Sequence, residues 1–412
     1  MPNPRIAVLS FPGNNCEVES IRSIHRSGME PVFCKWNDDL ESLGQIDGYF
    51  LPGGFSYEDR GRAGMVAARD PILDHIRKEA ALGKPVIGNC NGAQILVESG
   101  LIPLSEHLDM SLARNVSDNE AVGFISEWVW ITPTVDADRC CTADWSGAMA
   151  MPIAHGEGRF TTKDPDLLQT LKDNGQLAFM YCDAEGNVSE DPMFTPNGSS
   201  MAIAGICNPE GNIVALMPHP ERTLLGDPYF VSMRRWIERG IQTLETKVSA
   251  TTVHADMSIA TRKPLDTEVY IDTLITNNEE RTVEKAARNV APDISLTQLR
   301  YLAPADGDFI SILNTISLFN PNKEVAYIRR NGKIMKWDSD AKKEIEADSH
   351  PLTDTTLLRR DEPDTGSLAM SPGSQSGVCY VCSGVQDSQL QSRELYEIFA
   401  NPHASTLEVI EE

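Results

Sequence analysis

The chain has 412 residues, 41% of them hydrophobic, and a formal charge of −24. That charge excludes a nucleic-acid or anionic-membrane surface, because both need clustered Lys and Arg to neutralise phosphate. No apolar run approaches the roughly 20 residues needed to cross a bilayer, and the length allows two or three domains, of which two are expected.

Met1-Pro2-Asn3-Pro4 leads straight into Arg5-Ile6-Ala7-Val8-Leu9-Ser10-Phe11, a buried-strand pattern too short for a signal peptide, so a cytoplasmic protein is expected. Strand-like runs at residues 6–11, 31–36, 48–51 and 85–88 alternate with helical patterns at about 16–27, 65–82 and 92–99. This is the signature of a parallel sheet covered by helices. From 123 to 217 the helical pattern thins, and short β-rich runs at 124–132, 151–154, 176–181, 203–206 and 213–216 continue the sheet. Phe230, Met233, Trp236, Ile237 and Ile241 stand at helical spacing and predict a closing amphipathic helix over 228–244.

The first domain is therefore expected over 1–247, followed by a linker over 248–265 where Thr, Ser and Ala replace any clear period. A smaller α+β domain over 266–412 opens with a strand at 267–275, a helix at 279–289 and a strand at 296–303. The stretch 338–375 is crowded with Asp, Ser, Thr and Pro and reads as an exposed, partly mobile insertion. A strand at 378–381, a helix at 388–399 and a strand at 406–410 complete the chain. Nine cysteines without regular spacing read as reduced thiols. Cys379-Tyr380-Val381-Cys382 lacks a second pair for a zinc site and reads as strand, so no metal site is expected.

The chemistry concentrates at Gly88-Asn89-Cys90-Asn91-Gly92, between an apolar strand and a helix. A sharp strand-to-helix turn lifts a nucleophile out of the backbone, and the helix N-terminus favours its thiolate. A thiolate nucleophile needs a proton carrier, and His219 in Met217-Pro218-His219-Pro220-Glu221-Arg222 is the best placed of the eight histidines. The flanking prolines exclude helix, so His219 and Glu221 are expected to point the same way in an extended or turn segment. Glu221 then orients one ring nitrogen and leaves the other for Cys90. In Leu51-Pro52-Gly53-Gly54-Phe55-Ser56, adjacent glycines allow backbone N–H groups to face a developing oxyanion, with Gly54 and Asn91 as the two donors.

Cys90, His219 and Glu221 in this order resemble the triad of class I glutamine amidotransferases. More narrowly, residues 5–245 resemble the glutaminase subunits of phosphoribosylformylglycinamidine synthase. The resemblance is carried by Phe11-Pro12-Gly13-Asn14-Asn15-Cys16, Pro52-Gly53-Gly54-Phe55-Ser56-Tyr57, Arg62-Ala63-Gly64, Cys90-Asn91-Gly92 and Arg114-Asn115-Val116-Ser117. Pro152-Ile153-Ala154-His155-Gly156-Glu157-Gly158-Arg159-Phe160, Pro196-Asn197-Gly198-Ser199 and the His219 run extend it.

The resemblance implies a flavodoxin-like α/β domain with a mostly parallel central sheet. It implies hydrolysis of glutamine to glutamate and ammonia through a cysteinyl thioester, with Gly53 and Gln94 against the substrate and Gly54 and Asn91 as oxyanion donors. The ammonia would serve ATP-dependent conversion of formylglycinamide ribonucleotide in purine biosynthesis. The chain would hold no cofactor itself, with ATP and Mg used by a large synthetase partner; no Walker-type loop occurs here. The C-terminal element order resembles the small S-type bridging subunit, with an insertion over about 305–377 that the family lacks; an unrelated accessory domain is the alternative. The sequence departs from the pattern at Glu58, where glycine is usual, at Ala93, where an aromatic is usual, and at Glu127, where arginine is usual. A stand-alone thiol hydrolase and a non-catalytic scaffold are the competing functions; intact Cys90, His219 and Glu221 argue against the second.

Overall fold

A computed structural model describes residues 3–39, 44–104, 107–118, 120–240 and 259–411. Residue contacts separate the chain into two units, Met1–Ala255 and Asp256–Glu412.

The first unit contains β1 (Arg5–Ser10), α1 (Glu17–Arg26), β2 (Glu30–Lys35), β3 (Gly48–Leu51), α2 (Ile72–Ala81), β4 (Val86–Asn89) and α3 (Asn91–Glu98). These are followed by β5 (Ser111–Arg114), β6 (Val116–Ser117), β7 (Glu120–Ala121), β8 (Ile125–Pro133), β9 (Met149–His155) and β10 (Glu157–Thr161). α4 (Leu167–Asp173), β11 (Phe179–Cys182), β12 (Ile203–Cys207), β13 (Ile213–Leu216) and α5 (Asp227–Glu238) complete it. The main sheet has the order β2-β1-β3-β4-β13-β12-β11-β8-β9. Pairings from β2 to β13 are parallel and those from β13 to β9 antiparallel, so the sheet is mixed.

Alternation along the strands explains how both faces are covered. Ala7, Leu9, Tyr49 and Leu51 pack with α2 and α3 residues such as Ile76, Ala93 and Leu96. Their neighbours Ile6, Val8 and Phe50 pack on the opposite face with Ile24 of α1 and Tyr229, Phe230 and Met233 of α5. Strands buried on both faces read as continuous apolar runs, which is why β1, β3, β4 and β13 are plain in the sequence. The helix expected over 65–82 is interrupted: a short 3-10 turn at Ala67–Arg69 precedes Pro71, and α2 starts only after it. The last residues of the helix expected over 228–244 lie outside the described residues, as does most of the expected linker.

The second unit contains β14 (Ala260–Arg262), β15 (Thr267–Thr273), α6 (Asn278–Arg288), β16 (Ser295–Ala303), α7 (Phe309–Asn314), β17 (Glu324–Arg330) and β18 (Lys333–Asp338). β19 (Lys343–Glu346), β20 (Thr355–Asp361), β21 (Gln375–Ser383), α8 (Asp387–Leu390), α9 (Arg393–Phe399) and β22 (Ser405–Ile410) follow. Its sheet has the order β14-β22-β20-β21-β16-β15-β17-β18-β19.

Two stretches that read as irregular in the sequence carry strands. β14 falls inside the expected linker and pairs in parallel with β22. β17 to β20 fall inside the expected insertion yet belong to the sheet, with β20 hydrogen-bonded to both β21 and β22. Leu357 and Leu358 of β20 are fully buried. The polar composition that suggested an insertion belongs to the loops on either side of β20, and it masked a strand of only seven residues. Cys379 and Cys382 are buried free thiols within β21. Among the described residues no helix is long and apolar enough to cross a membrane.

Candidate active site

Cys90 sits between β4 and α3 with φ 51° and ψ −108°, a left-handed conformation that L-residues adopt only when the surroundings impose it. The imposition is visible on both sides. The backbone N–H of Cys90 donates to Leu216 O at 2.8 Å, and Gln94 N–H donates to Cys90 O at 3.1 Å. A Cβ on Gly88 would lie 2.4 Å from Gly92 O, and one on Gly92 would lie 2.0 Å from Leu51 O. The turn therefore closes only with bare glycine at both positions. Cys90 is 5% exposed, and its Sγ lies 3.7 Å from Ala154 O.

Parallel pairing of β13 with β4 brings His219 alongside, since Leu216 stands opposite Asn89 and His219 follows three residues later. The His219 N–H donates to Pro152 O at 2.9 Å. Pro220–Arg222 form a single 3-10 turn with proline in its first position, where no N–H is needed. Glu221 Oε1 lies 2.6 Å from His219 Nδ1, leaving Nε2 buried without a hydrogen-bond partner. Behind it, Asn89 Nδ2 donates to Glu221 Oε2 at 3.0 Å, and Tyr229 OH donates to Asn89 Oδ1 at 3.3 Å.

Burial alone would depress the His219 imidazole; the charges of Cys90 and Glu221 overcome it and hold His219 well above its ordinary value. Burial would likewise raise Glu221, but His219 and the hydrogen bonds it accepts hold its carboxyl below the usual range. Electrostatically, the arrangement favours an imidazolium at His219 paired with a carboxylate at Glu221.

Gly53 explains how the ring fits. A Cβ there would stand 2.7 Å from His219 Cε1 and 3.1 Å from Cys16 Sγ. At Gly54, the bridge to Asn14 uses the N–H groups of Asn15 and Phe55 and leaves that of Gly54 outside it. The Asn91 side chain ties the surrounding loops together. Its Oδ1 accepts Ser56 N–H at 3.0 Å, and its Nδ2 donates to Gln94 Oε1 at 3.0 Å and to Asp59 Oδ1 at 3.3 Å. Gln94 Nε2 donates in turn to Glu157 O at 2.5 Å. Thus Cys90, His219 and Glu221 share one buried cluster, with Gly53 against His219 and Asn91 and Gln94 joined across the turn.

His155 lies close enough for the charge on His219 to disfavour its own. Burial and then His219 push it down to about 3, so it is neutral, with Nδ1 3.2 Å from Asn115 Oδ1.

Four neighbours of this cluster carried no assigned role in the sequence: Cys16, Asn89, Asp59 and Glu157. Cys16 is fully buried and accepts from Arg222 Nη2 at 2.9 Å. Cys16, His219 and Glu221 bring one donor atom each within 4.8 Å of one another, a set able to hold a metal ion, although no metal site was expected there. The position of Asn89, directly before Cys90, was the one usable signal for its role.

Comparison with known proteins agrees in extent with this unit. The model of the CobB/CobQ-like glutamine amidotransferase domain matches residues 3–240. The phosphoribosylformylglycinamidine synthase subunit PurQ of Methanothrix thermoacetophila is 39% identical over 262 residues, covering 57% of this chain and 98% of the relative. The PurQ subunit of Saccharolobus solfataricus is 40% identical over 218 residues, covering 53% and 88%. Among solved structures, PurLQS from Thermotoga maritima matches with 31% identity and a TM-score of 0.46, over 57% of this chain and 99% of that one. By the match over residues 3–240, the chain belongs to the CobB/CobQ-like glutamine amidotransferase family.

Proposed function

We propose that this chain is the glutaminase component of phosphoribosylformylglycinamidine synthase, and that Cys90 is its nucleophile. The relatives that share its first unit carry that subunit's name. The observation that carries the chemical reading is the buried relay from Asn89 through Glu221 to His219 beside the strained Cys90 turn.

In this reading the Cys90 thiolate attacks the side-chain amide carbon of glutamine, and the C=O electron pair moves onto oxygen between the N–H groups of Gly54 and Asn91. His219, charged at the outset, gives its proton to the departing nitrogen, so ammonia leaves and a γ-glutamyl thioester remains. Neutral His219 then removes a proton from water, which attacks the thioester and releases glutamate and the thiolate. Glu221 holds the ring in the required tautomer throughout. Gly53 and Gln94 border the substrate.

ATP and Mg belong to the synthetase partner, which consumes the ammonia. We assign the bridging work of the small subunit to residues 259–411, on the strand-helix-strand order at each end of that unit.

The test is ammonia release from glutamine by wild type and Cys90→Ala, with and without the synthetase and formylglycinamide ribonucleotide. Loss of release in the variant and stimulation by the synthetase are expected. Full activity in Cys90→Ala removes the nucleophile assignment. A wild type indifferent to the synthetase points instead to a stand-alone thiol hydrolase.

A further inference from the structure

The proton carrier of the proposed reaction works in both of its charge states. His219 is an imidazolium when ammonia leaves and a neutral imidazole when water attacks, and its ring has to keep one orientation through both. Glu221 grips the Nδ1 side at 2.6 Å, but only the charged ring forms an ion pair with that carboxylate. Once the proton has gone to ammonia the grip weakens, and a second contact has to hold the ring.

Cys16 is placed to supply it. It stands at the N-terminal cap of α1 and is fully buried. The Nδ1–Cε1 edge of His219 and the Cys16 sulfur converge on the bare face of Gly53, where an added Cβ would lie 2.7 Å from Cε1, 3.3 Å from Nδ1 and 3.1 Å from Sγ. A ring nitrogen of His219, the sulfur and a Glu221 carboxylate oxygen all lie within 4.8 Å of one another.

The sulfur is itself fixed from several sides. Arg222 Nη2 donates to it at 2.9 Å, and its own S–H points to Asn15 Oδ1 at 3.2 Å. The Cys16 carbonyl accepts from Ser20 Oγ at 2.6 Å and from Ser20 N–H at 3.1 Å, which ties the residue to the first turn of α1. The residues before it are bound to the glycine turn, with Asn14 Nδ2 3.2 Å and Asn15 N 3.4 Å from Gly53 O. Arg222 follows Glu221 directly on the 3-10 turn after His219, so the contacts run from the ring through Glu221, Arg222 and Cys16 and back to the ring. A cysteine that merely filled space would need no such cation. Arg222 is an exposed residue, yet its guanidinium turns inward to a buried sulfur.

We infer that Cys16 is a positioning residue for the hydrolytic half of the reaction, and that Arg222 acts through it. The sulfur backs the Nδ1–Cε1 edge of His219 while the ring is neutral, so that Nε2 stays turned to the water attacking the γ-glutamyl thioester. In that step Nε2 takes a proton from water, the water oxygen bonds to the acyl carbon, and the C–S bond breaks to return the Cys90 thiolate. Cys16 exchanges no proton with the substrate. This deepens the glutaminase reading and rests on it.

The test follows ammonia release by the full-length chain with its synthetase partner, in the first turnover and at steady state. Ammonia leaves as the thioester forms, so slowed hydrolysis shows as a burst of about one ammonia per active site ahead of a slow steady rate. In Cys16→Ala, kcat should fall about 10-fold and KM should fall with it, leaving kcat/KM within about 3-fold of wild type. The burst amplitude counts competent sites, so misfolding lowers the amplitude and cannot mimic the slow phase. Cys16→Ser keeps an acceptor for Arg222 and a donor for Asn15, and its kcat should stay within about 3-fold of wild type. Arg222→Leu should repeat the Cys16→Ala defect, and the double variant should be no slower than Cys16→Ala alone. Unchanged kcat in Cys16→Ala, an equal loss in kcat and kcat/KM without a burst, a serine variant as slow as the alanine one, or additive single losses would each overturn the inference while leaving the glutaminase reading intact. A wild type that releases no ammonia from glutamine overturns the glutaminase reading, and this inference with it.

Discussion

The side-chain amide of Asn89 lies 3.0 Å from Oε2 of Glu221, so the residue just before Cys90 also secures the carboxylate that pairs with His219. One strand end therefore sets both the Cys90 thiol and the carboxylate paired with His219. Tyr229 OH, on α5, fixes the other end of the Asn89 amide at 3.3 Å.

Replacing Asn89 by Leu should test this coupling. The variant leaves Glu221 Oε2 and Tyr229 OH without their buried partner, which costs about 1.5–3 kcal/mol for a hydrogen bond to a charged group. Glu221 then titrates higher, so the acid limb of the activity profile should move to higher pH, with kcat down on the order of 10-fold. Urea unfolding and a pH profile of ammonia release check both parts. An unchanged acid limb would separate Asn89 from the relay.

Gly53→Ala should act on His219 with little effect on folding. The new Cβ would stand 2.7 Å from His219 Cε1, and the ring must turn or shift to relieve that contact. A displacement of about 1 Å in a positioned group can cost on the order of 100-fold in rate. Ammonia release should fall accordingly while Cys90 remains open to alkylation by iodoacetamide. Near-normal turnover would mean that the ring position tolerates such a shift.

His155 makes a prediction about stability and pH. Its pKa is lowered from about 6.5 in the ordinary imidazole to about 3 in the folded chain. Between these values the unfolded state binds a proton that the folded state refuses, so stability falls as pH drops through that window; above it the contribution is fully present. His155→Gln removes up to one proton from the dependence, a slope of about 1.4 kcal/mol per pH unit. Urea midpoints from pH 7 to 4.5 should therefore be flatter for the variant. Parallel curves would show that His155 is not held neutral.

These sites also show what the sequence carries and what it hides. Cys90, His219 and Glu221 are legible because each needs a particular residue type in a particular turn, and glycine and proline mark those turns. Gly53 is visible as a glycine, but its reason is the His219 ring, which is remote in the chain and adjacent only after β13 pairs with β4. Asp59 is an ordinary polar residue whose partner comes from elsewhere in the fold, and Asn89 is marked only by its place directly before Cys90, since its partner Glu221 is remote in the chain. Glu58, where the family has glycine, adopts φ 59° between Tyr57 and Asp59, both also left-handed. The departure is thus accommodated as backbone strain, with the side chain exposed. In the second unit β20 is short and flanked by polar loops, and its membership of the sheet depends on hydrogen bonds to β21 and β22 that sequence periodicity does not encode.

The second unit makes its own prediction, at Glu268 of β15. This carboxylate is fully buried, and it accepts from Arg262 Nη2 at 2.9 Å, Tyr301 OH at 3.0 Å and Tyr270 OH at 2.7 Å. Arg262 belongs to β14, the strand found where a linker was expected, so this ion pair helps fasten β14 to the unit. Glu268→Leu takes from the largely buried Arg262 guanidinium the nearer of its two carboxylate partners, leaving Glu408 at 3.6 Å, and strips two hydroxyls of their acceptor; it should cost about 2–4 kcal/mol. Arg262→Met alone leaves a buried charge unpaired. The double variant removes both charges and should therefore be more stable than the sum of the two single losses implies. Urea unfolding of the full-length chain, followed by fluorescence of Trp337 with the other five tryptophans replaced by Phe, reads this unit by itself. Strict additivity of the two single changes would show that Arg262 and Glu268 stabilise β14 independently.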